Sequence, residues 1–152
     1  MTDANRNLIS SVDHTGITVP SLNDALAFWV GVLGFRHLYT WDFKGDFIEK
    51  LVGVEGTIVK LAMVEGYGHH IELLEYTAPP DRRTYRPRSC DVGSVHVAFY
   101  VNDIVALADR AAKAGWTPLN PIQTINSGER RGFKLVYLCD PNGVTLELMQ
   151  RP

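Results

Sequence analysis

Four residues in this chain have the types and placement that could do chemistry: His14, Glu72, His96 and Glu147. They come from a sequence that repeats itself. When His14 is set on His96, Val19 falls on Val101 and Leu22 on Ile104. In each half the histidine is followed by a helix-like stretch that ends in a glycine, Gly34 or Gly115. Each half then carries an apolar-Glu-Leu segment, Ile71-Glu72-Leu73 and Leu146-Glu147-Leu148. Side chains alternate faces along a strand, so Glu72 and Glu147 point away from the apolar neighbours that must pack under a helix. His96, between Val95 and Val97, obeys the same rule. Two carboxylates facing a concave sheet are costly to desolvate alone, and a divalent cation offsets that cost. Two imidazoles and two carboxylates without a thiolate suit Zn, Ni, Co, Mn or Fe(II).

The elements that must position these residues follow from periodicity. Residues 9–19 read as extended. Ser21 is a helix N-cap, with Asp24 in the first turn. Leu22, Leu26, Trp29, Val30 and Leu33 then make one apolar helical face. Strands are predicted near 35–41, 56–64 and 69–77. In the second half Asn102 or Asp103 caps a helix faced by Ile104, Leu107, Ala108 and Ala111. Strands are predicted there near 116–119, 133–139 and 144–150, and Asp140-Pro141-Asn142-Gly143 is a turn between the last two. Each half therefore reads as βαβββ. The domains expected are a first module at 9–78 and a second at 92–151. The Pro- and Arg-rich residues 78–91 act as the linker. The segment 45–55 reads as a short amphipathic helix with Phe47, Ile48, Leu51 and Val52 inward. Residues 120–132 read as a polar loop, which places Arg130 and Arg131 where they could hold an anionic substrate.

Length and composition limit the function classes. With 152 residues, 45% hydrophobic and 21% charged, the chain has the profile of a globular domain with its own core. The net charge of −2 and scattered Lys and Arg argue against a nucleic-acid partner. No apolar run is long enough to span a membrane. The N-terminus is polar, without the apolar segment of a secretory signal. Cys90 and Cys139 form no metal or disulfide motif. The expectation is a cytoplasmic protein that acts on a small molecule.

The segments DHTGITVPSLNDALAFWVGVLGF, HIELLEY, GSVHVAFYVNDI and YLCDPNGVTLEL resemble the vicinal oxygen chelate superfamily over about residues 9–150. That superfamily includes glyoxalase I, methylmalonyl-CoA epimerase, extradiol dioxygenases and the fosfomycin and bleomycin resistance proteins. The resemblance implies an α+β, glyoxalase-like fold, in which two tandem βαβββ modules form curled mixed sheets around a metal. It puts the ligand positions on His14, Glu72, His96 and Glu147. In extradiol dioxygenases the position of Glu72 does not ligate, fosfomycin-type transferases carry one Glu, and bleomycin binders have no metal. A second carboxylate therefore points to proton transfer next to a carbonyl. By resemblance to glyoxalase I, Glu147 is the candidate base and Glu72 a second one. The glutathione contacts of bacterial glyoxalase I are missing, because their positions hold Thr18 and Tyr76. An isomerase or lyase of the glyoxalase or epimerase type is the primary expectation. An Fe(II) dioxygenase and a small-molecule-binding resistance protein are the alternatives. Relatives imply a homodimer, with the metal site either within one chain or shared between two. Tyr76 and Tyr137 are expected to reach the substrate. Trp41, Phe43 and Phe47 are candidates for an apolar substrate wall or for core.

Overall fold

A computed structural model describes residues 8–152. The polar N-terminal residues 1–7 lie outside the described part. The fold is α+β, with two sheets and three helices among the described residues. The chain divides between Pro80 and Asp81 into two compact units.

The first unit runs β1 (His14–Thr18), α1 (Leu22–Gly31), β2 (Arg36–Lys44), α2 (Asp46–Val52), β3 (Ile58–Gly66) and β4 (His69–Ala78). Its sheet has the order β1-β4-β3-β2, with β1 parallel to β4 and the other pairs antiparallel. One face packs beneath α1. There Ile71, Leu73, Ala62 and Val64 meet Leu22, Ala25, Phe28 and Trp29, all buried. Burying a large apolar side chain contributes about 1.5–3 kcal/mol, so this row carries much of the unit's stability. Trp29 also meets Phe35 edge-on, with ring centroids 5.1 Å apart. Ser21 caps α1 through the Asp24 N–H, as its position before the apolar run predicts. The turn after the helix passes through Gly34 at a φ of 79°, a left-handed conformation that favours glycine.

The second unit repeats the plan with β5 (Val97–Tyr100), α3 (Ile104–Lys113), β6 (Thr117–Pro118), β7 (Gln123–Thr124), β8 (Lys134–Cys139) and β9 (Thr145–Gln150). Its sheet runs β5-β9-β8-β6, with β7 also paired to β8. Ile104, Ala108 and Ala111 of α3 are buried, as are Val136, Leu138, Leu146 and Leu148 of the sheet. Asp103 is the N-cap, and its Oδ1 accepts from the Ala106 N–H at 2.9 Å. In the Asp140 turn, Oδ1 accepts from the N–H groups of Asn142 and Val144 at 2.9 and 2.7 Å.

Several sequence expectations need correction. The segment 45–55 does contain a helix, but only Ile48 of its apolar residues is fully buried. Phe47 and Leu51 are exposed, at 66% and 67%. A seven-residue helix can seat only one stripe, and Ile48 and Val52 occupy it. Val30 turns outward on α1, and Ala25 and Phe28 take the inward positions instead. The first strand begins at His14, so residues 9–13 are not strand. His96 stands just ahead of β5, and Val95 is 80% exposed rather than covered by a helix. The loop at 120–132 contains β7, a short antiparallel pairing with β8. Residues 79–96 carry no helix or strand.

Candidate metal centre

Register decides what faces what. In the first unit Gly16 lies beside Glu72, and Glu72 lies opposite Met63. Directly paired residues share a sheet face, and alternate residues along each strand return to it. His14, Glu72, Leu74 and Tyr76 therefore occupy the face turned away from α1. His14 Nε2 stands 3.3 Å from Glu72 Oε2. In the second unit Ala98 lies beside Glu147, and Tyr137 lies opposite it. His96 Nε2 stands 3.3 Å from Glu147 Oε2. The repeat has thus produced the same His–Glu contact twice, at the same distance and on the same side of each sheet. Both carboxylates are largely covered, with side chains 20% and 15% exposed.

Both contacts are longer than an ordinary N–H···O bond. They match two donors that face a common point. Ligand atoms each about 2.1 Å from one ion, and roughly 100° apart, lie about 3.2 Å from each other. The first pair carries a further indication. His14 Nδ1 is 2.7 Å from Asp13 Oδ2. A carboxylate oxygen accepts in such a contact, so Nδ1 is the donor, and this bond holds the Asp13 carboxyl below its ordinary pKa. In the neutral ring Nε2 then presents a lone pair toward the Glu72 carboxylate. Two electron-rich atoms held together in this way fit a cation. Each unit supplies two donors, and among the described residues no group of three or more His, Cys, Asp or Glu is placed to hold an ion.

Parity also separates Glu72 from its neighbour Glu75. Glu75 faces α1, where its Oε2 accepts the Leu22 N–H at 2.7 Å. The second unit copies this device, with Gln150 Oε1 accepting the Ile104 N–H at 2.8 Å. In both units the residue three after the site glutamate receives the first N–H of the helix.

Tyr137 and Tyr76 border the glutamates. Burial, and then the nearby Glu147 charge, push the Tyr137 phenol above its usual range. Burial, and then Glu72, do the same for Tyr76. Both stay protonated as hydrogen-bond donors at neutral pH. The Tyr137 ring also lies 5.1 Å from the His96 ring. Arg130 and Arg131 are exposed, and their backbones close the turn between β7 and β8. Among the described residues neither side chain forms an ion pair with Glu147. Sequence reasoning missed Asp13, which has no periodic signature. It left Tyr39 unmentioned. Tyr39, Trp41 and Phe43 pair through β3 with the rows of Glu72, Leu74 and Tyr76, so they share the Glu72 face. Tyr39 stacks on Trp41 at 4.5 Å, and Phe43 and Phe47 continue the ladder. Trp41 is 54% exposed, which sets aside the core reading for it. His70 shares the Glu72 face, and its Nδ1 donates to the Asp13 carbonyl at 3.2 Å. Cys90 and Cys139 are free thiols, the first exposed and the second half-buried.

The chain is similar to known proteins in sequence and in fold. A family model described as Glyoxalase/Bleomycin resistance protein/Dioxygenase superfamily matches residues 11–148. The chain is 36% identical over 147 residues to a 2-epi-5-epi-valiolone epimerase of an Actinomyces species, covering 93% of this chain and 80% of the relative. A glyoxalase family protein from Bacillus cereus superposes with a TM-score of 0.81 at 25% identity, covering 94% of this chain and 95% of that one. The fosfomycin resistance protein FosX of Listeria monocytogenes, in a complex with Mn(II) and sulfate, superposes with a TM-score of 0.61 at 19% identity, over 95% and 94% of the two chains. This chain belongs to the Glyoxalase/Bleomycin resistance protein/Dioxygenase superfamily.

Proposed function

We propose that the protein is a divalent-metal-dependent epimerase that moves a proton on the carbon next to a carbonyl. The observation that carries this reading is the duplicated His–Glu pair, His14 with Glu72 and His96 with Glu147. The 36% identity to a 2-epi-5-epi-valiolone epimerase supports the reaction type. Each pair would supply one imidazole and one carboxylate to a Zn, Ni, Co, Mn or Fe(II) ion, within one chain or across a homodimer. A bound divalent ion supplies Lewis-acid stabilisation of the negative charge that develops on the carbonyl oxygen.

Glu147 takes the proton from carbon, and Glu72 is the second carboxylate able to hold or return it. Return to the opposite side of the carbon inverts it. Tyr137, opposite Glu147, keeps its phenolic proton and donates a hydrogen bond to a substrate oxygen, and Tyr76 does the same beside Glu72. The Tyr39, Trp41, Phe43 and Phe47 ladder forms an apolar wall on the Glu72 face. Arg130 and Arg131 screen an anionic substrate from the loop before β8. The protein acts in the cytoplasm on a small carbonyl compound.

The test is elemental analysis beside proton exchange. About one transition metal per chain is expected in the wild type, with weakened retention in Glu72→Ala. Deuterium from D2O should enter small cyclic ketones at the carbon next to the carbonyl. Glu147→Gln should keep the metal and lose 10²–10⁴-fold of that exchange, roughly the contribution of a general base. Iron retained by Glu72→Ala, with oxygen uptake on catechols, would replace this reading with a dioxygenase. Absence of metal after reconstitution would leave a binding protein.

A further inference from the structure

We infer that Asp13 is a positioning residue for the metal centre, which fixes His14 in the orientation that presents Nε2 as a ligand. The inference rests on the metal reading above. His14 can ligate through Nε2 only if its proton sits on Nδ1, and Asp13 Oδ2 accepts that proton's hydrogen bond at 2.7 Å. A carboxylate behind a ligating histidine sets its ring orientation and raises its basicity.

Asp13 is itself tethered. Its backbone carbonyl accepts from His70 Nδ1 at 3.2 Å, and His70 pairs with His14 in the parallel register of β1 and β4. His70 Nε2 then lies 3.9 Å from Glu65, which binds the Arg36 guanidinium. A line of polar contacts thus runs Arg36, Glu65, His70, Asp13, His14, Glu72 along one unit. The second unit lacks this arrangement. The residue before His96 is Val95, which is exposed, and the His96 ring leans on Tyr137 instead. Among the described residues, duplication has kept the two His–Glu pairs alike while only His14 has a carboxylate behind its imidazole. His14 is the preset donor and His96 the adjustable one.

Two readouts test this. In metal-free wild-type protein, nitrogen NMR of the histidine side chains should show His14 with Nδ1 protonated and Nε2 bare, the signal being assigned by its loss in His14→Gln. Asp13→Ala should mix the two tautomers. Chelator competition with Zn(II) or Mn(II) should show Asp13→Ala binding about 10–100-fold more weakly. Asp13→Asn, whose side-chain oxygen still accepts from Nδ1, should recover part of that loss. Val95→Ala should bind as the wild type does. Asp13 is largely exposed, so its removal leaves the core intact, and circular dichroism checks this. Wild-type metal binding with Asp13→Ala within about two-fold, or a wild-type His14 protonated on Nε2, would overturn this inference alone. A wild type that binds no metal would overturn the metal reading and this inference with it.

Discussion

Two phenols report on the charge of the site without any ligand present. Tyr76 and Tyr137 lose water on folding and stand beside Glu72 and Glu147. Both effects oppose a second negative charge, so the neutral form persists above pH ~10, where an exposed tyrosine ionises. In an alkaline absorbance titration, two of the six tyrosines should ionise late. Tyr76→Phe and Tyr137→Phe should each remove one late step. A late phase that survives both substitutions would show that neither ring is shielded. The glutamates themselves were legible because a strand has period two. Alternation alone assigned Glu72 to one face and Glu75 to the other. Asp13 was not legible, because a residue ahead of a strand has no period to place it.

Helix placement depends on strand residues that no helix pattern announces. Glu75 and Gln150 each accept the first N–H of a helix that lies far behind them in sequence. A helix N-terminus leaves such donors unpaired, and losing a cap costs about 1 kcal/mol. Thermal unfolding should show that loss for Glu75→Ala and for Gln150→Ala. Glu75→Gln should be nearly neutral, since glutamine does the same work in the other unit. Equal loss in Glu75→Gln and Glu75→Ala would mean that the carboxylate has another role. The helices, the Ser21 cap and the Asp140 turn were readable from spacing and residue type. The inward stripe of α2 was not. Phe47 with Leu51 and Ile48 with Val52 are both spaced four apart, and only the neighbouring sheet decides which pair is covered. Val30 and Val95 were misplaced for a similar reason, since apolar character alone does not say what lies opposite.

Across the whole chain, duplication made the fold readable. Two copies of one plan gave the positions of α1 and α3, the His–Glu order and every strand except the short β7. The second copy also exposed what differs, with Asp13 against Val95 and Glu75 against Gln150. No described helix is long and apolar enough to cross a membrane. The aromatic ladder has an optical consequence. Of three tryptophans, Trp29 and Trp116 are buried and Trp41 lies half open on the Glu72 face. Red-shifted emission and collisional quenching by acrylamide therefore belong to Trp41 almost alone. A molecule that settles on that face would shield this one indole while the other two stay dark to the quencher. The wild-type chain thus carries its own fluorescent reporter of ligand arrival, with no label added, and substrates can be screened by light before any reaction is known.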